Sequence, residues 1–78
     1  MSTRLYYNNS TERAYLTNTV YAYCNGNKID YSQSEDRANG VFTVDLLYYD
    51  ADHTAFNDLL QMIANAGYTV EKCPAYRT

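Results

Sequence analysis

Ten of the 78 residues are tyrosine, against two phenylalanines and no tryptophan. A chain this short closes around one modest core, and that core takes up only a few large side chains. Tyrosine is suited to the boundary, because its ring body is apolar and its hydroxyl tolerates water. The chain therefore has to fold with more aromatic surface than its interior can hold. A single domain spanning residues 1–78, with tyrosines on its skin, is the expectation.

Two runs rich in β-branched and aromatic residues flank Asn25-Gly26: Arg13 to Cys24, then Asn27 to Tyr31. Asn-Gly between such runs is a strong hairpin signal, since both residues accept the positive φ of a type I′ turn. That turn sets Cys24 opposite Asn27, Tyr23 opposite Lys28, Ala22 opposite Ile29 and Tyr21 opposite Asp30. Alternation along the strands then sends Val20, Ala22, Cys24, Ile29 and Tyr31 inward. It sends Tyr15, Thr17, Thr19, Tyr21, Tyr23, Lys28 and Asp30 outward.

Residues 32–40 read as a polar loop closing on Asn39-Gly40. Val41 to Tyr49 reads as a strand with Phe42, Val44, Leu46 and Tyr48 inward and Thr43, Asp45 and Tyr49 outward. Asp50-Ala51-Asp52 supplies N-cap carboxylates for a helix in which Phe56, Leu59, Leu60 and Ile63 follow the helical period. Gly67 stops that helix. Tyr68 to Cys73 is a short last strand ended by Pro74, and Leu5-Tyr6-Tyr7 is a first one. The order predicted is β-β-β-β-α-β, an α+β two-layer sandwich: an antiparallel-dominated sheet with one helix on one face.

Composition narrows function. Nine acidic residues against six basic give a net charge of −3. With no basic run, the chain lacks the cations that displace counterions from phosphates, so direct nucleic-acid binding is not expected. An acidic face turned to a basic protein partner is the electrostatic alternative. No apolar stretch is long enough for a membrane span, and Met1-Ser2-Thr3-Arg4 is not followed by a signal-peptide core. The asparagine-rich Asn8-Asn9-Ser10-Thr11, which formally holds glycosylation sequons, reads as a turn.

Cys24 and Cys73 have no CxxC partner and no histidine at ligand spacing. They read as two buried thiols in a cytoplasmic, reducing compartment, with a Cys24–Cys73 disulfide as the alternative. The lone His53 beside Asp50 and Asp52 reads as a solvated helix residue. Nothing is spaced to complete a zinc or calcium site, so no metal or cofactor is expected. No nucleophile has a base or a GxSxG setting, and three isolated glycines make no phosphate loop. Glu35-Asp36 suits a polar loop better than a carboxylate pair of a glycosidase. The expectation is a protein that is not an enzyme.

One helix covers part of one sheet face, so the other face, with Tyr15, Tyr21, Tyr23 and Tyr49, is expected to stand open. Two readings follow. The tyrosines stabilise the sheet as cross-strand pairs, or they form a recognition patch with Asp30, Asp45, Glu35 and Asp36 on its rim. Glu35, Asp36, Asp50, Asp52 and Asp58 are either ordinary solvated positions or a negative rim that imitates the phosphates of nucleic acid.

Short length, acidity, few cysteines and the tyrosine- and asparagine-rich Tyr6-Tyr7-Asn8-Asn9 and Tyr48-Tyr49-Asp50 together resemble small phage-encoded inhibitors of the anti-CRISPR type. The resemblance is to a class and carries no residue over by position. It implies a stoichiometric inhibitor that binds a Cas protein, or another nucleic-acid-handling complex, in the host cytoplasm. The alternative is a small structural or assembly protein whose tyrosine face meets copies of itself. On either reading the chain is expected to be a monomer or a weak homo-oligomer.

Overall fold

The computed structural model describes residues 2–73, apart from the side chains of Tyr49, Asp50, Ala51 and Cys73. Its elements are β1 (Ser2–Tyr6), α1 (Ser10–Gly26), β2 (Tyr31–Asp36), β3 (Val41–Leu46), α2 (Tyr49–Asn65) and β4 (Val70–Cys73). The four strands form one sheet in the order β2-β3-β1-β4, and all three neighbouring pairs are antiparallel. The fold is α+β, as expected, but the element order is β-α-β-β-α-β. With β1 inserted between β3 and β4, this is the split βαβ arrangement also called ferredoxin-like.

The largest correction falls on residues 13–24. They form most of a 17-residue helix, not a hairpin strand. Asn9 caps the helix, its side chain accepting from the Glu12 backbone N–H at 2.9 Å, while the Glu12 carboxylate accepts from the Asn8 N–H at 2.8 Å. This reciprocal pair is close to a capping box. Leu16, Val20 and Cys24, four residues apart, are fully buried. The threonines, valine and tyrosines of this run each cost at most about 0.7 kcal/mol in a helix relative to alanine. Burying one leucine or valine side chain is worth about 1.5–3 kcal/mol, so tertiary packing decides the conformation.

Asn25-Gly26 ends this helix instead of turning a hairpin. The Asn25 and Asn27 side-chain amides donate back to the carbonyls of Tyr21 and Tyr23, at 2.8 and 2.9 Å. Lys28 then takes a left-handed φ of 56° and reverses the chain. The predicted facing of Tyr21 with Asp30 and of Tyr23 with Lys28 is therefore absent.

The expected polar loop holds a strand, β2, and the turn is confined to residues 37–40. Tyr31 to Asp36 pair without a break with Leu46 to Val41. Serine and glutamine are acceptable there because β2 lies at the sheet edge, and strand propensity follows burial more than residue type. Phe42, Val44 and Leu46 are buried on β3 as predicted, but β3 stops at Leu46 and leaves Tyr48 61% exposed. The helix α2 starts at Tyr49, so Asp50 and Asp52 are inside its first turns and neither is its N-cap. Pro74 lies outside the described residues.

Thr3, Leu5, Phe42, Val44 and Leu46 make the inward face of the sheet. Leu16, Val20 and Cys24 of α1 and Phe56, Leu59, Leu60 and Ile63 of α2 pack on it in one cluster with Ile29. Two helices thus share a face on which one was expected. The opposite face carries Ser2, Arg4, Tyr6, Ser32, Ser34, Asp36, Val41, Thr43, Asp45 and Glu71, by the strand register. Apart from Val41 and the ring of Tyr6 it is polar, and Tyr15, Tyr21 and Tyr23 are not on it.

Candidate functional site

The three helical tyrosines are distributed by the turn of α1. Its inward stripe is Leu16, Val20 and Cys24; its outward arc runs through Thr11, Ala14, Tyr15, Asn18, Tyr21, Ala22 and Asn25, all exposed. That arc contains no charged side chain. Small residues, Ala14, Asn18 and Ala22, follow one another along its middle at helical spacing, and Tyr15 and Tyr21 stand on opposite flanks.

Tyr21 is 65% exposed and Tyr15 42%. Tyr15 is stacked on Tyr68, with ring centroids 5.2 Å apart and planes 12° from parallel. Tyr23 is half-buried against the core. Tyr49 opens α2, and its side chain lies outside the described residues.

The only charges on α1, Glu12 and Arg13, are turned to its sides and are already engaged. Arg13 donates two hydrogen bonds to the Glu35 carboxylate, through Nε and through Nη2, the latter at 3.0 Å. The Tyr7 hydroxyl donates to the same group at 2.8 Å, and Arg37 Nε stands 3.7 Å away. The hydrogen bonds from Arg13 and Tyr7, with the nearby guanidinium charges, hold the Glu35 carboxyl at about 2, below its usual 4.5. Beside this cluster a polar cleft of about 480 Å³ opens between the start of α1 and the β2–β3 turn.

The predicted carboxylates do not converge. Glu35 is taken up by its arginines. Asp36 accepts from the Asn39 side chain at 2.7 Å and its backbone N–H at 3.2 Å, fixing the turn. Asp45 accepts from the Ser2 hydroxyl on the open sheet face. Asp30 alone joins a predicted tyrosine: with Tyr21, Asn25, Ile29, Tyr31 and Gln33 it lines a shallow hollow of about 440 Å³. The expected single patch is thus divided between the helix layer, the sheet edge and the opposite sheet face.

The Ala14-Asn18-Ala22 strip and, Glu35 apart, the Tyr7–Arg13–Glu35–Arg37 cluster are not among the residues expected from the sequence. The strip is visible only once the segment is read with a helical period, and the Asn9 to Glu12 spacing was the signal for that. Cys24 carries a buried free thiol; burial, with Asp52 nearby, pushes it up to about 11, which makes it unreactive near neutrality. Among the described residues, no group of three or more His, Cys, Asp or Glu side chains is placed to hold a metal ion. No helix among them is long and apolar enough to cross a membrane.

Compared with known proteins, the chain matches no protein-family model, no curated protein and no solved structure.

Proposed function

We propose that the protein acts by stoichiometric, non-enzymatic contact with another protein, and that the outer face of α1 is its main contact surface. The observation that supports this is the charge-free arc of α1 in a chain where 15 of 78 residues are charged, nine acidic and six basic. Interface centres are depleted of charge and enriched in tyrosine, because charge is costly to desolvate while a tyrosine ring adds contact area with few torsions to freeze. Small residues along the middle let a partner approach the helix closely. The flanking rings of Tyr15 and Tyr21 then close on its sides.

The specific form of this reading is an inhibitor that occupies a basic surface of a nucleic-acid-handling complex, such as a CRISPR-Cas complex, in a bacterial cytoplasm. Net acidity supports it, as do Asp36, Asp45 and Glu71 on the open sheet face, where Arg4 is the only basic side chain of the described strands. These charges serve the rate and selectivity of encounter more than final affinity.

The test is affinity purification with the wild-type chain and with Ala14→Arg/Ala22→Arg, read by quantitative mass spectrometry. Arginine suits an exposed helix, so folding is retained. A stoichiometric basic partner should be captured by the wild type and weakened by about tenfold or more in the variant. Equal capture by both proteins contradicts the reading. A dimer that the variant abolishes reassigns the face to self-association.

A further inference from the structure

The strand β2 is the end strand of the sheet, and among the described residues no other strand pairs with its outer edge. Which backbone groups face outward follows from the ladder. The Leu47 N–H donates to the Asp30 carbonyl at 3.1 Å, and these two residues continue the pairing of Tyr31 with Leu46. Hydrogen-bonded and non-hydrogen-bonded pairs alternate in an antiparallel ladder. Ser32, Ser34 and Asp36 therefore turn their N–H and C=O groups to β3. Tyr31, Gln33 and Glu35 turn theirs to the free edge.

Natural sheets protect such an edge with proline, lysine, a bulge or a covering segment. In β2 there is no proline or lysine, and its register with β3 is unbroken over all six residues. Its two carboxylates lie at one end and both are engaged, Glu35 by Arg13 and Arg37, Asp36 by Asn39. The other edge strand, β4, spans four of the described residues.

At the start of β2 the last turns of α1 overhang the edge and form the hollow of Tyr21, Asn25, Ile29, Asp30, Tyr31 and Gln33. Two phenol rings and an isoleucine wall it, and Asp30 is exposed with no side-chain partner among the described residues. Two aromatic rings beside one unengaged carboxylate match a lysine or arginine, whose alkyl stem lies on the rings while its charge meets the acid.

We propose that the free edge of β2 takes an extended segment of a protein partner as a fifth strand, with a lysine or arginine of that segment seated in the Tyr21–Tyr31 hollow against Asp30. The inference rests on the reading of the chain as a protein-binding module but not on α1 being the contact. The backbone ladder supplies affinity and the hollow supplies selectivity. In a second copy paired through its own β2, residues 31–36 supply no cation, and the Arg37 that follows them already stands 3.7 Å from its own Glu35.

The probe is an end-blocked octapeptide alternating valine and lysine, with amide hydrogen exchange as the readout. Added peptide should slow exchange at Tyr31, Gln33 and Glu35 by about tenfold or more, with little change at Ser32, Ser34 and Asp36. Gln33→Pro removes one outward donor and none of the β3 ladder. It should cost about tenfold or more in affinity, and Asp30→Asn several-fold. A peptide N-methylated on the amides facing β2 should not bind, whereas methylation of the alternate amides should be tolerated; this arm holds even if Gln33→Pro unfolds.

Saturable binding that leaves the three amides unchanged overturns the proposal, as does the absence of binding. Protection of those amides without peptide, in a species of doubled mass, assigns the edge to a second copy instead. The Ala14→Arg/Ala22→Arg chain separates the two readings: it should still bind the peptide whether or not α1 is the main contact.

Discussion

Glu35 joins three parts of the molecule: Arg13 reaches it from α1, Tyr7 from the β1–α1 link and Arg37 from the β2–β3 turn. Its carboxyl titrates lower in the folded chain than in the unfolded one, so its contribution is complete above the ordinary value of 4.5 and is lost as pH falls toward about 2. Urea midpoints of the wild type should fall over that window. Glu35→Gln should be less stable at neutral pH and show a flatter acid limb. An unchanged acid limb would show that the pairing contributes nothing measurable. Thr3 makes a different case. It is fully buried on β1 and its hydroxyl finds no hydrogen-bond partner among the described residues. Thr3→Val removes an unsatisfied polar atom and keeps the branch at Cβ, and should stabilise by about 1 kcal/mol. Thermal unfolding should then shift upward by about 4–8 °C for a domain of this size.

At the level of elements, α1 depends on its cap and on a thin inward stripe. Asn9→Ala removes the acceptor that the Glu12 N–H uses and should cost about 1 kcal/mol, read as a lowered urea midpoint with an unchanged slope. The same substitution would be nearly silent if the helix began elsewhere. This element was the least legible in the sequence. Tyr21-Ala22-Tyr23-Cys24 alternates like a strand, Thr17, Thr19 and Val20 favour strands, and Asn25-Gly26 serves a hairpin turn and a helix end equally well. The stripe of Leu16, Val20 and Cys24 is too sparse to outweigh these local signals. By contrast, Phe56, Leu59, Leu60 and Ile63 give α2 an unmistakable period, and Phe42, Val44 and Leu46 give β3 a clean alternation. The polar strand β2 was hidden because its face toward the helices is closed by Tyr31 and by the Glu35 cluster instead of by aliphatic residues.

For the whole molecule, exchanging a hairpin for a helix moves the tyrosines from one side of the sheet to the other. Two helices cover the face that carries Thr3, Leu5 and Phe42, and the bare face becomes largely polar, where the Glu71 carboxylate accepts from Arg4 at 3.0 Å and from the Tyr6 hydroxyl at 2.7 Å. The excess of tyrosine was readable from composition alone; its placement was not, because placement depends on one segment's conformation. Tyr15 and Tyr21 stay exposed, now as flanks of an uncharged helix. Both proposed contacts, the α1 arc and the β2 edge under Tyr21, depend on that segment being helical. Backbone chemical shifts and amide exchange over residues 10–26 therefore test the account most directly. It predicts continuous helical shifts from Ser10 to Gly26, with the slowest exchange in the stretch that holds Leu16, Val20 and Cys24. Strand shifts over residues 13–24, with cross-strand contacts between Tyr23 and Lys28, would contradict it.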